Sequence, residues 1–122
     1  MSDQDVYKEA EKLKDKGRHK EAAKKFREAA DKADSDADTR FWKGKAKLEE
    51  AKRDYDSKPT EAAVKIREAA NIFYELMTVE DEEEAIDILH SLKEEVSTEK
   101  KQSIEEEIEK LDGLVENIEK EE

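Results

Sequence analysis

The sequence contains no cysteine, which excludes a disulfide framework, a cysteine-ligated zinc site and a thiol nucleophile. One proline and three glycines in 122 residues are too few for a loop-rich or low-complexity chain. No apolar run approaches the roughly 18 residues that read as a membrane span, so no membrane association is expected. The opening segment is studded with charges and shows no secretory leader, which predicts a cytoplasmic chain. Positive charge is the scarcer sign: 24 Lys and Arg stand against 36 Asp and Glu, a net charge of −12. Broad binding to a phosphate backbone needs the opposite balance, so nucleic acid is not an expected partner.

What the sequence has in excess is charge of both signs, 49% of residues, about twice the roughly 25% of an average soluble protein. Such a composition can mean disorder. Here the apolar residues recur at three- and four-residue spacing, with Gly and Pro almost absent, which is the pattern of amphipathic helices. The chain reads as all-α, with about six helices.

The first helix spans about 3–16, with Val6, Ala10 and Leu13 on one face, and Gly17 ends it in a left-handed stop. The second spans about 19–33 and turns Ala22, Ala23, Phe26, Ala29, Ala30 and Ala33 inward. Ser35 is the expected N-cap of a third helix over about 36–55, where Asp36 and Asp38 suit the positive helix end. Phe41 and Trp42, adjacent on that helix, point about 100° apart and can reach two neighbours. Ser57 or Thr60 caps a fourth helix over about 60–77, with Pro59 at its start and Ala62, Ala63, Ile66, Ala69, Ala70, Phe73 and Met77 inward. Thr78 caps a fifth over about 80–96, carrying Ala85, Leu89, Leu92 and Val96, although the break before it lacks both Gly and Pro. A polar stretch over 97–101 leads to a sixth over about 101–120.

The chain repeats itself. Residues 21–30 read EAAKKFREAA and residues 61–70 read EAAVKIREAA, eight of ten identical at an offset of 40. A helical hairpin recurring at such a period is the mark of stacked hairpins. Charge then divides the chain. Residues 1–78 hold 19 basic and 18 acidic residues, net +1, together with all seven aromatics. Residues 79–122 hold 5 and 18, net −13. The expected organisation is a helical body over 1–78 and an acidic, antiparallel helix pair over 79–122, continuous with it.

Val6, Ala10, Leu13, Gly17, His19, Ala22, Phe26 and Ala29 give the first two helices a resemblance to a tetratricopeptide (TPR) hairpin. In that family a small residue brings the two helices close, Gly makes the turn and an aromatic at the Phe26 position fills the space between them. The chain departs from the pattern at His19, where the family favours Tyr, and at Glu9, where it favours Leu. The second unit keeps Ala62, Ile66 and Ala69 at a period near 40 rather than the usual ~34. Ala85, Leu89 and Leu92 echo it a third time. Three-helix microtubule interacting and trafficking domains share a similar first hairpin. Either resemblance implies a non-catalytic protein that binds peptides or helices of partner proteins. The Asn-plus-Lys clamp of chaperone-tail-binding TPR proteins has no counterpart, since the only asparagines are Asn71 and Asn117.

Catalytic and metal motifs are weak. Asp34, Asp36 and Asp38 open like a calcium loop, but the sixth and twelfth positions hold Thr39 and Lys45 where Gly and Glu are required. Asp87 and His90 make one carboxylate–histidine pair where a di-iron bundle needs two. The abundant carboxylates read as solvated faces, so no enzyme, metal or cofactor is expected.

Two surfaces are candidates for binding. Arg40, Lys43 and Lys47 share one face of the third helix, and Lys8 and Lys12 one face of the first. With Tyr7 and Trp42 as aromatic anchors they suggest a mildly basic groove for a partner helix or peptide. Ile104, Ile108, Leu111, Val115 and Ile118 alternate by four and three, a coiled-coil type seam that either caps the last hairpin or pairs with a second copy in a homodimer. The expected function is an adaptor or scaffold. An acidic decoy or chaperone, docking a basic nucleic-acid-binding protein through residues 79–122, is the alternative.

Overall fold

The structure, a computed structural model, describes the backbone of residues 3–121 and the side chains of residues 4–111. Six helices and no strand occur among the described residues: α1 (Asp3–Asp15), α2 (His19–Lys32), α3 (Asp36–Asp54), α4 (Pro59–Glu75), α5 (Val79–Glu95) and α6 (Thr98–Glu121). Each helix packs on the next, and α4 also packs on α6.

The helix ends follow local chemistry. Gly17 (φ +76°) closes α1, where the Arg18 amide donates to Leu13 O at 2.9 Å and the Gly17 amide to Lys14 O at 2.9 Å. That is a Schellman stop, which needs a left-handed residue. Ser35 caps α3 by accepting from the Asp38 amide at 3.1 Å. Pro59 opens α4, where its missing N–H costs nothing. Neither Ser57 nor Thr60 is its cap; Lys58 stands there without a side-chain bond. Thr78 precedes α5, but its hydroxyl donates back to Phe73 O at 3.2 Å instead of capping forward.

The turn between α4 and α5 repeats the Schellman geometry without a glycine. The Thr78 amide donates to Phe73 O at 2.9 Å and the Met77 amide to Tyr74 O at 3.1 Å. Met77 therefore takes the left-handed position, φ +61°, and its side chain is 84% exposed. The expected inward Met77 is corrected: α4 ends at Glu75, and the turn swings Met77 off the helix face. The break before α6 is shorter than expected, because α6 starts at Thr98.

Two apolar clusters form the core. Val6, Ala10, Ala22, Phe26, Ala29, Ala30, Trp42 and Ala46 join α1, α2 and α3. A larger cluster runs from Leu48 and Ala51 on α3 through Ile66 and Phe73 on α4 to Leu89 and Leu92 on α5 and Ile104 and Leu111 on α6. Phe41 packs against both. The larger cluster crosses from residue 78 to 79, so the two halves of different charge share one core. The sequence repeat is a repeat of burial: Ala22, Ala23, Phe26, Ala29 and Ala30 are buried, as are Ala62, Ala63, Ile66, Ala69 and Ala70.

Gly44 sets the distance between α3 and α4. A Cβ there would lie 2.9 Å from Phe73 Cε1 and 3.2 Å from Ile72 Cγ2. Gly44→Ala gains about 1 kcal/mol of helix propensity, yet it drives a methyl into a buried ring. The expected outcome is a net loss of roughly 1–3 kcal/mol in urea unfolding, and a stabilised variant would show that the helices are free to separate. Met77→Gly should act the other way and raise stability by about 0.5–1 kcal/mol, because glycine takes the left-handed position without steric cost; a loss in the same measurement would contradict this account of the turn.

Candidate interaction site

Side chains of α3 meet α1, α2, α4 and α5. Trp42 and Ala46 face α1 and α2. Gly44, Leu48 and Ala51 face α4 and the larger core. Lys45 and Lys52 reach α1 and α5. The remaining strip carries Lys43, Lys47, Glu50 and Asp54, at the spacing of one helix face. It floors a trench whose walls are α2 and α4.

Two cavities lie along this trench. One, of about 300 Å³, is lined by Arg27, Ala30, Asp31, Lys43, Ala46, Lys47 and Glu50. The other, of about 320 Å³, is lined by Lys47, Glu50, Glu61, Val64, Lys65 and Glu68. They share Lys47 and Glu50, which stand between them on α3. Ion pairs fix its walls. Lys47 Nζ donates to Glu68 at 2.8 Å, and Lys65 Nζ donates to Asp54 at 2.8 Å and lies 3.5 Å from Glu50. Arg27 pairs with Glu50 from the opposite wall. Bonds from Arg53 and Lys65 hold the Asp54 carboxyl well below the usual carboxylate range. Lys43 is exposed and has no ion-pair partner among the described residues.

The opposite side of α3 is closed by a chain of charges. His19 Nδ1 lies 3.2 Å from Glu49, whose other oxygen is 2.9 Å from Lys52 Nζ. Lys52 is 3.3 Å from Glu84, which is 3.9 Å from Lys14. Glu11 lies 3.8 Å from both Lys14 and Lys45, and Lys45 is 2.9 Å from Asp81. The Lys45 side chain is only 11% exposed and its ammonium sits 5.7 Å from the Phe41 ring centre. Burial alone would lower its pKa, but Asp81, Glu11 and Glu84 outweigh that and raise it. Burial likewise pushes the Glu84 pKa up, and Lys52, Lys14 and Lys45 more than reverse it. The network ties α1, α2, α3 and α5 together.

This geometry redistributes the expected site. Lys43 and Lys47 lie in the trench. Arg40 stands at its end, paired with Glu75 of α4. Lys8 and Lys12 are exposed on α1 and line neither cavity. Trp42 is 5% exposed and packs on Tyr7, with ring centres 4.8 Å apart, and on Phe26 at 6.3 Å. Trp42 is thus core, and with Tyr7 stacked on it neither aromatic anchors the trench. Tyr7 also feels burial and the Glu11 charge, which raise its phenol pKa. Ion pairs among Glu11, Lys14, Lys45, Lys52, Asp81 and Glu84 occupy the side where α1, α3 and α5 meet.

Of the sixth-helix seam, Ile104 and Leu111 are buried in the larger core and Ile108 is partly buried against it. Val115 and Ile118 lie outside the described side chains. The described part of the seam packs on the chain's own core. Carboxylates that read as solvated also prove otherwise: Glu49, Glu50, Asp54 and Glu107 are buried. Each has a cation beside it, Glu107 being held by Arg67 and by Lys110 at 3.1 Å. These cations pull the Glu107 pKa down against the upward push of burial. The repeated Arg27 and Arg67 therefore serve one purpose, neutralising a buried carboxylate of a neighbouring helix.

Among the described residues no three His, Cys, Asp or Glu side chains gather as a metal site, and no helix is long and apolar enough to cross a membrane. Lys45→Ala should cost about 2–4 kcal/mol, since it strands Asp81 and opens a gap beside Phe41. Lys43→Ala should stay within about 0.5 kcal/mol; equal losses in thermal unfolding would contradict the division of α3 into closed and open sides. Asp54→Asn should cost about 1–3 kcal/mol at neutral pH. Because the folded pKa of Asp54 is depressed, its contribution is complete above about pH 4 and is lost as pH falls through the folded value. The gap between wild type and variant should close on acidification, and a gap constant with pH would refute the pairing. A scan against protein-family models, a search of curated proteins and a search of solved structures each return no match for this chain.

Proposed function

We propose that the chain is a non-catalytic adaptor whose stacked, TPR-like hairpins accept a helix of a partner protein in the trench over α3. One observation carries this reading: cavities of about 300 and 320 Å³ flank Lys47 and Glu50 on α3, one toward α2 and one toward α4. Ion pairs within and across the walls hold the trench before any partner arrives, so little ordering cost is left for binding. Ala30, Ala46 and Val64 offer a shallow apolar floor, and Lys43 a cation free to meet an acidic side chain. A helix with small residues on one face and a carboxylate beside them fits these features. The core shared by α3, α4, α5 and α6 favours stacked hairpins over a free-standing three-helix module.

The acidic-decoy reading keeps one supporting observation. Glu94, Glu99, Glu106 and Glu109 are exposed on α5 and α6 and have no ion pair among the described residues. The readings separate in a capture experiment from native lysate with full-length baits. The trench predicts a protein retained by wild type and by the remote Lys8→Glu variant. A Lys43→Glu, Val64→Glu double variant of unchanged melting temperature should lose it by about tenfold or more in affinity. A basic protein retained by all three baits and released by moderate salt would move the function to the acidic surface.

A further inference from the structure

The only large apolar side chains exposed among the described residues are Met77, at 84%, and Val79, at 59%. They are two positions apart in the α4–α5 turn. Beside them lies a cavity of about 300 Å³ lined by Ala37, Asp38, Phe41, Leu76 and Thr78. It shares no lining residue with the trench. We infer that this turn and the first turns of α3 form a second docking surface, for a polypeptide segment that carries one apolar anchor side chain flanked by lysine or arginine.

Conformation, exposure and charge argue for it separately. Met77 holds the left-handed position that Gly17 holds in the matching turn after α1, at φ +61° against +76°. The hydrogen bonds are the same in both turns, so glycine would close the second as well. The chain instead keeps an exposed methionine at a position where a side chain is unfavourable. Backbone strain kept at an exposed apolar residue points to use rather than to packing. Methionine is also the side chain best able to re-pack around an incoming apolar group.

Charge then selects the occupant. Asp38 lines the cavity, Asp36 precedes the lining residue Ala37, and Glu80 and Glu83 lie near the start of α5 after Thr78; all four are exposed and have no cation partner among the described residues. Arg40 and Lys45, on the same helix as Phe41, are engaged with Glu75 and Asp81. The two helix N-termini carry roughly half a positive charge each, less than these four carboxylates. The field at the apolar cavity is therefore negative, and the side chains that complement it are Lys and Arg placed beside the anchor. An acidic or purely apolar segment does not fit.

The test uses the full-length protein, isotope-labelled on backbone amides and methionine methyls, and three short synthetic peptides. One has a leucine between two lysine pairs, one replaces the leucine by alanine, and one replaces the lysines by glutamates. The leucine–lysine peptide should shift the Met77 methyl and the amides of Ala37, Thr78 and Val79 while leaving those of Lys43 and Ala46 in place. Met77→Gly, although expected to stabilise the fold, should weaken this peptide about fivefold or more, as should the alanine peptide on wild type. Asp38→Asn with Glu80→Gln should weaken it and flatten its salt dependence. The glutamate peptide should not bind. Equal binding of the leucine and alanine peptides, unchanged binding to Met77→Gly, shifts confined to α6, or no shift with any peptide would overturn the inference.

Discussion

Two adjacent aromatics on one helix reach into two different cores, and most of the structure depends on that arrangement. Trp42 stacks on Tyr7 and Phe26 in the α1–α2–α3 cluster, while Phe41 meets Phe73 at 5.9 Å in the α3–α6 cluster. The two rings touch each other at 4.9 Å. Adjacent helix positions differ by about 100°, so only a helix flanked on both sides can pack both rings against apolar neighbours. That requirement makes α3 the central element and places α2 and α4 either side of it. The close approach at Gly44 draws α4 in. On the strip from Lys43 to Asp54, Lys43 stays exposed and Lys47 half-buried, while Glu50 and Asp54 are covered by their cations.

Half the residues are charged, and the structure puts many of them to structural use. Cores this rich in alanine bury little area per residue, so ion pairs between helices carry more of the register than usual. Lys45 shows the logic. A buried ammonium is costly unless it is paired, and its pairing with Asp81 and Glu11 joins three helices at one point. Arg27 and Arg67 do the same for Glu50 and Glu107. The same distribution explains the candidate surfaces. Charges inside the stack are matched, and unmatched ones on the surface include Lys43 in the trench and Asp36, Asp38, Glu80 and Glu83 near the ends of α3 and α5.

The helices were legible in the sequence because their signals are local: three- and four-residue apolar spacing, Gly17, Ser35 and Pro59. The repeat, the inward alanines and the two directions of Phe41 and Trp42 follow from the same spacing. The misread parts depend on partners far along the chain. Nothing near Glu49 or Glu107 announces His19 or Arg67, and a lysine at position 45 looks like any surface lysine until Asp81 is placed beside it. Met77 continued the apolar pattern of α4 and so looked inward, although the helix stops two residues earlier. For the candidate site, the basic stripe of α3 was visible, but its orientation was not. Which side of a central helix stays open is set by how the hairpins stack. That is why Lys43 and Lys47 line the cavities, while Trp42 and Tyr7 stack on each other and Lys8 and Lys12 stand apart on α1.

The coupling of two cores through Phe41 and Trp42 predicts that the described helices unfold as one cooperative unit. The chain has a single tryptophan, which reports on the smaller core, while helical circular dichroism reports on all six helices. Urea unfolding followed by both signals on one sample tests the claim most directly. Coincident midpoints and slopes are the predicted result. A tryptophan transition separated from the loss of helix would show that α1–α2 unfolds apart from the rest, and that α3 does not bind the two cores into one.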